Sequence, residues 1–526
     1  MNLKNYISLI FLLVCSLGFC QNENNIWYFG ENAGLDFSSS SPVALTNGQM
    51  DMLEGCASVS SPSGKLLFYT DGMTVWNKNH TVMVNGTGLF GENSSTQSAI
   101  IVKKPGSSSL YYVFTTPAHI GFSNGFNYSE VDIELDSGLG AVTVNKNIFL
   151  ATKIGEKITV IKHANGTDFW VITRSAFTSA KFYSFHLSCD GLDMVPVISN
   201  VGIAGFGVAY GYLKGSPNGE RIASVNGGDV DNVEVFDFDD VTGLLSNPIK
   251  LDFTSYSPYG VEFSPDNNLL YVSSNQKPCN IYQYNLQVGS ELAINNSKVL
   301  VGIITGYEGG ALQLGPDNKI YHARPFDDHL GVISQPNTIG LGCNYNSNGV
   351  SLSGKRSLFG LPSLTYNNDL EIDLGNDTSI CNGETIFLNA QTFGGTYNWQ
   401  DGSTNSSYTI NQEGTYSVTL SLNACVAKDT VIVTEENCFM NIELPNIFTP
   451  NNDGLNDLFT PITIDGVTIT RTVIYNRWGR KVFETDNPLI KWGGEKESDG
   501  SYFWVVNYSD ESGMVKTLNG YLALIR

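Results

Sequence analysis

The stretch Asp453-Gly454-Leu455-Asn456-Asp457 sets two carboxylates and an amide oxygen beside a glycine turn. Oxygen sets of this kind hold hard cations such as calcium, so Asp453, Asn456 and Asp457 are candidate ligands. The stretch is shorter than a standard calcium loop and lacks its terminal Glu. The competing reading is an Asx-type turn, in which the same oxygens bond backbone amides. Asp237, Asp239 and Asp240 alternate with Phe236 and Phe238, a pattern that gives a strand one solvated and one packed face. Asp229 and Asp231 precede them in a loop, where ligands often sit. The six histidines, His80, His119, His163, His186, His322 and His329, have no paired spacing for a metal. His322 reads as a packed or edge residue. Neither a nucleophile elbow nor a phosphate-cradling glycine loop occurs. Carboxylates from separate segments can still converge in a fold.

These residues ride on a repeat that joins a turn directly to an apolar strand. Ser264-Pro265-Asp266-Asn267-Asn268 runs into Leu269-Leu270-Tyr271-Val272, and related turns lie at residues 62, 105, 164, 217 and 316. Successive spacings are 43, 59, 53, 48 and 51 residues, room for about four short strands each. A four-stranded blade has two apolar faces that it cannot cover alone, so neighbours pack face to face until the ring closes. Inner strands are expected near residues 55–60, 98–102, 158–161, 209–213, 260–263 and 310–314. The amino-terminal strands at 26–29, 35–37 and 43–45 have no inner partner, and a strand at 358–366 has no companions. Joined, they make a seventh blade and remove the open edges. The expectation is an all-β chain with a seven-bladed β-propeller over 25–366, six blades being the alternative. Most aromatics in these strands fill the space between blades.

A chain of 526 residues exceeds one ordinary core, so several domains are expected. The net charge of −22 argues against a nucleic-acid partner, which needs a basic surface. Lys4, an apolar run from Tyr6 to Leu17 and the polar Gln21-Asn22-Glu23 fit a signal peptide over 1–20, cleaved between Cys20 and Gln21. Lipid attachment at a cysteine is the competing reading. No other segment has the roughly 18 apolar residues of a membrane span. The seven cysteines beyond residue 20 are odd and sparse, which suggests one or two local bridges.

After a polar linker, residues 371–436 change to shorter alternating strands. Cys381, Trp399 and Cys425 follow in the order of an immunoglobulin-like sandwich. Asp401-Gly402-Ser403-Thr404 and Gly414-Thr415-Tyr416 resemble PKD-like and immunoglobulin-like modules of bacterial surface proteins. That resemblance implies a Cys381–Cys425 bridge, which would close a loop of about 45 residues and contribute roughly 3 to 4 kcal/mol. Cys438 is either free or displaces one partner.

Residues 441–526 carry a run from Leu444-Pro445-Asn446-Ile447-Phe448 through Asp457, then Tyr475-Asn476-Arg477-Trp478-Gly479, Trp492-Gly493-Gly494 and Asp499-Gly500-Ser501-Tyr502. In that order they resemble the gliding motility-associated C-terminal domain, the type B sorting signal of type IX secretion. The resemblance implies a β-sandwich that partners the type IX machinery and directs the chain across the outer membrane. Trp27-Tyr28-Phe29-Gly30, Leu66-Leu67-Phe68-Tyr69-Thr70-Asp71-Gly72 and Val75-Trp76-Asn77 resemble a propeller often joined to such domains in gliding bacteria.

The expected product is a secreted or cell-surface binding protein, an adhesin that takes an unknown glycan or protein at the propeller's axial mouth and rim loops. A polysaccharide-degrading enzyme with a propeller catalytic domain is the alternative. A structural part of a surface assembly is the third reading. No cofactor is implied beyond the candidate calcium.

Overall fold

Each repeated turn reverses the chain through one left-handed residue. Gly64, Gly106, Gly166, Gly219, Asn267 and Asn318 have φ of 80°, 71°, 78°, 77°, 65° and 58°. Glycine and asparagine are the residues for which that conformation costs least. In the computed structural model the backbone closes these turns, as in Gly219 N–H to Ser216 O at 2.9 Å and Asn267 N–H to Ser264 O at 2.9 Å. The structure describes residues 22–526 apart from 119–123, 177–179, 205–208, 229–230, 254–256, 307, 366–371, 382–383, 391–394, 423, 437–440 and 511–514. The expected leader junction at Cys20 and Gln21, His119, Asp229 and Cys438 lie outside the described residues.

The chain divides into two compact units. The first comprises Met1–Glu371 with Phe393–Gly395 and Ser421–Ala427. Its sheets follow one another in chain order as antiparallel groups. Ile26–Phe29, Ala33–Asp36 and Val43–Leu45 form a three-stranded sheet. Later groups begin at Ala57–Ser60, Ala99–Lys103, Ile154–Lys162, Ala209–Tyr210 with Leu213–Gly215, Pro258–Phe263 and Leu312–Leu314. The two groups that begin at Ala57 and Ala99 share an edge through the parallel pair Ala141 and Val84.

Both faces of the middle strands are buried. In Leu110–Thr115, Tyr111 and Val113 pack with Val59 and Phe68 of the preceding group. Tyr112 and Phe114 pack with Ile158 and Val171 of the following one. Phe169–Ser175 divides likewise, Val171 facing back and Trp170 and Ile172 facing forward to Leu213 and Phe236. A period of two with both sides apolar is why these strands read as unbroken apolar runs. This is a β-propeller in a nearly all-β chain.

The ends of the propeller meet. Tyr28 N–H reaches Ser58 Oγ at 3.3 Å, and the Tyr28 and Tyr69 rings stack at 4.6 Å. On its other side the amino-terminal sheet meets Tyr321, whose ring centroid is 5.5 Å from that of Trp27. Residues 358–365 do not form the regular strand expected of them. Their single bridge pair is Pro362 with Cys56 in parallel. Pro362 has no N–H to donate, and Gly360 lies so close to Glu54 O that a Cβ would stand 1.6 Å from it. The segment is held by Phe359 N–H to Leu53 O at 2.9 Å and Ser363 N–H to Cys56 O at 2.8 Å.

The second unit comprises Ile372–Thr392, Thr396–Leu420 and Lys428–Arg526. Strands Thr378–Cys381, Cys425–Glu436, Gly414–Leu422 and Thr396–Trp399 lie side by side in that order, and Ile386–Asn389 pairs with Ser407–Ile410. Ile380, Leu388, Trp399, Ile410, Val418 and Val433 share one core. At the carboxyl terminus Ile447–Phe448, Val515–Leu524, Gly500–Asp510, Val467–Asn476 and Lys481–Thr485 form a five-stranded sheet. It closes over Phe448, Trp492, Tyr502, Trp504 and Leu522.

The expected Cys381–Cys425 bridge is not formed. Cys425 bonds Cys189, with Cα atoms 5.3 Å apart and 236 residues between them in sequence. Cys381 is itself disulfide-bonded. The register gives the reason: Cys381 pairs with Glu436, whereas Cys425 begins the same strand at its other end. At about 3.3 Å per residue, that puts the two cysteines some 35 Å apart, far beyond the reach of a disulfide. Trp399 therefore packs on Tyr408, ring to ring at 4.9 Å, and not on a Cys381–Cys425 bond.

Candidate functional site

A cavity of about 500 Å³ opens at the turn-bearing end of the propeller. Its walls are the last residues of several inner strands and the turns that follow, including Lys162, His163, Lys214, Glu262 and Gln313, with Asp240 from the turn after Asn232–Asp239. The turns converge because every inner strand runs toward the same end of the ring.

Three polar side chains from adjacent inner strands interlock at its wall. Lys214 Nζ lies 3.1 Å from Glu262 Oε2 and also donates to Gln313 Oε1. Glu262 further accepts from Phe263 N–H at 3.0 Å and Leu314 N–H at 3.0 Å. All three side chains are buried. A buried carboxylate that accepts from an ammonium and two amides is held in one position. Burial pushes the Lys162 ammonium below the usual lysine range, an effect that Glu23 opposes.

His163 stands at the rim, where its Nδ1 accepts from Asn165 N–H at 2.9 Å. Burial lowers its pKa, and the neighbouring His186 lowers it further. His186 behaves oppositely: its hydrogen bond to Asp168 at 3.0 Å raises its pKa, with Asp193 adding a contact at 3.2 Å. The three rings His163, His186 and Trp170 cluster with centroids 5.0 to 5.7 Å apart.

The other sequence candidates are dispersed. Asp457 accepts from Asn452 N–H at 2.7 Å and Gly454 N–H at 2.9 Å, and Asp453 from Leu455 N–H at 2.8 Å. Asn456 adopts a left-handed φ of 52°. Asp237 accepts from Asn247 at 2.8 Å, and Asp239 caps Val241 N–H at 3.0 Å. Asp240 alone of the three reaches the cavity, and its carbonyl accepts from Trp170 Nε1 at 2.8 Å. Asp231 accepts from Ser257 at 3.2 Å. His322 is fully buried beside Tyr345, and its pKa is lowered to about 3 by that burial. His80 packs on Tyr28 and Tyr69.

Sequence reasoning missed Lys214, Glu262 and Gln313. Their signal was present: in Gly260-Val261-Glu262-Phe263 and Ala311-Leu312-Gln313-Leu314 a single polar residue interrupts an apolar inner strand. His329, set aside for want of a paired spacing, lies with Asp327 and Asp328, their ligand atoms within 4.8 Å of one another. Asp327 is paired with Arg324 at 2.7 Å, and Asp328 Oδ1 lies 2.7 Å from His329 Nδ1.

Residues 442–524 match the family model described as the CHU_C type IX secretion signal domain. The carboxyl-terminal sheet is thus a sorting domain that the type IX system recognises, and the chain's destination is the cell surface or the exterior. No helix among the described residues is long and apolar enough to cross a membrane. A comparison with curated proteins found no match. Among solved structures, a putative 6-phosphogluconolactonase from Bacteroides fragilis is 12% identical, covering 65% of this chain and 97% of its own at a TM-score of 0.41. One from Bacteroides uniformis is 14% identical, covering 59% and 92% at 0.36. The β-propeller domain of Cps50 (Swd1) from Myceliophteria thermophila is 12% identical, covering 57% and 94% at 0.35. Likeness at this level carries no functional argument, and the propeller rests on the strand pairing described above.

Proposed function

We propose that the protein is an exported adhesin: a seven-bladed propeller over 25–366, an immunoglobulin-like spacer over 371–436 and the sorting domain over 441–526, made with a cleaved signal peptide over 1–20. The propeller binds a polar surface ligand, a glycan, at the turn-side axial cavity. The observation that carries this reading is the cavity itself, where inner strands and the turns beside them bring Lys162, His163, Asp240 and Gln313 together, with Phe169 and Leu364 as apolar wall. A concave site with a few convergent polar groups suits recognition. Glu262, whose carboxylate accepts from Lys214 and two backbone amides, is a fixed part of that wall. Gliding motility is the proposed setting for that adhesion.

The test is retention of the full-length exported protein on a glycan array, beside His163→Ala and Asn218→Ala variants, both residues lining the cavity. Selective retention that both variants weaken supports the reading. Uniform absence of retention, or retention unaffected by either change, removes it.

A further inference from the structure

Lys214, Glu262 and Gln313 come from three different sheet groups, on the inner strands Leu213–Gly215, Pro258–Phe263 and Leu312–Leu314. Lys214 reaches past the strand of Glu262 to donate to Gln313, 99 residues away in sequence. The three side chains belong to residues only 8%, 3% and 6% exposed, so bulk water does not separate them.

An amine held against both a carboxylate and a primary amide has the parts of an amide exchange. Lys214 Nζ touches Gln313 Oε1 and lies 3.1 Å from Glu262 Oε2, within reach of direct proton transfer. Glu262 is anchored by Phe263 N–H at 3.0 Å and by Leu314 N–H at 3.0 Å, the second from the residue after Gln313. Gln313 Nε2 donates to Leu314 O at 3.1 Å, which fixes the amide plane with Oε1 toward the lysine. The fold thereby replaces encounter between amine and amide with permanent proximity, the largest obstacle to such a reaction in water. Lys157 is a contrast within the same propeller. Its ammonium also meets a side-chain amide, Asn226 Oδ1 at 2.9 Å, but its other oxygen partners are the carbonyls of Val225 and Tyr210 and not a carboxylate.

We propose that Lys214 and Gln313 become joined by an isopeptide bond that the folded chain forms itself, with Glu262 as the proton carrier. Lys214 Nζ bonds to Gln313 Cδ, and the bond from Cδ to Nε2 breaks. The lysine ammonium gives up two protons through Glu262. One passes to Nε2, which leaves as ammonia, and the other stays on the Glu262 carboxyl, which then donates to the new amide oxygen. Nothing is oxidised or reduced, and no co-reactant is consumed. The cavity that these residues line gives the ammonia its exit. The bond clamps two sheet groups that are not neighbours in sequence, and a cross-link of this kind restricts the unfolded chain. It forms whatever the cavity binds.

The experiment is mass spectrometry of the exported protein after reduction, denaturation and digestion. The wild type should yield a branched peptide in which the segment carrying Lys214 is joined to the segment carrying Gln313, lighter by one ammonia than the two apart. Glu262→Gln, which keeps the side chain's size and removes the proton carrier, should yield the two segments separately. The segments carrying Lys157 and Asn226 should be separate in both proteins. Recovery of Lys214 and Gln313 only in unlinked peptides of the wild type, meaning an ion pair and nothing more, overturns the proposal. So does equal linkage in wild type and Glu262→Gln, or a link between Lys157 and Asn226, since either would leave Glu262 without its role. If Glu262→Gln fails to fold, Glu262→Asp, which withdraws the carboxyl by one methylene, takes its place and should lower the linked fraction several-fold; an undiminished fraction there counts equally against the proposal.

Discussion

Trp27 and Tyr321 meet edge to face with ring centroids 5.5 Å apart, although the sequence of the propeller separates them. Leu361 lies in the same buried cluster, so both ends of the propeller sequence enter one core. Closure by that contact makes the amino-terminal sheet a keystone. Trp27→Ala should destabilise the protein by about 3 to 5 kcal/mol and Leu361→Ala by about 2 to 5 kcal/mol, the cost of emptying a buried aromatic or aliphatic site. Denaturant unfolding monitored by fluorescence measures both. A loss under about 1 kcal/mol for each would mean that the ring does not depend on its closure.

Arg174 and Glu234 form a second test of packing. The guanidinium lies 2.7 Å from the carboxylate, 2.8 Å from Ser224 Oγ and over the Phe182 ring at 4.9 Å, with both charges buried. Glu234→Ala strands a buried cation and should cost about 3 to 5 kcal/mol. Arg471 with Glu484 is exposed, and Glu484→Ala there should cost far less. Equal costs at the two sites would contradict the burial argument.

The His186 cluster gives the protein a pH dependence of known sign. Asp168 raises the folded-state pKa of His186 above its unfolded value. The stabilisation is therefore complete below the unfolded pKa, near 6.5, and is lost as pH rises through the folded value. The Tm difference between wild type and Asp168→Asn should be largest near pH 5.5 and shrink by pH 8. The same offset at both pH values would rule out the linkage.

Peptide mapping of exported protein without reductant should recover Cys189 joined to Cys425, with Cys56, Cys279 and Cys343 as free thiols. A Cys381–Cys425 peptide would contradict the register that separates those two residues.

Much of the propeller was legible because its rules are local. A turn that needs one left-handed residue calls for Gly or Asn at a fixed place, and a strand buried on both faces reads as an apolar run, as Leu269-Leu270-Tyr271-Val272 does. The Cys425 partner was not legible, because it depends on a strand register and on a residue 236 positions away. Nor did spacing reveal that Lys214, Glu262 and Gln313 interlock. Such contacts arise from ring closure, which brings together positions that have no shared period. The sorting domain was legible from ordered motifs alone, since Trp492, Tyr502 and Trp504 build its core.

Export depends on that domain. Deleting Leu444–Arg526 should leave the protein in the periplasm, measured by cell fractionation, and its normal appearance outside the cell would contradict the assignment.

The adhesion reading is tested most directly by binding of the intact exported protein to purified cell-surface polysaccharide, compared with a His163→Ala, Asn218→Ala double variant of unchanged Tm. The account predicts saturable binding by the wild type and at least a tenfold weaker affinity for the variant, about 1.4 kcal/mol. Equal affinity of the two proteins, or no polysaccharide binding by the wild type, would contradict it.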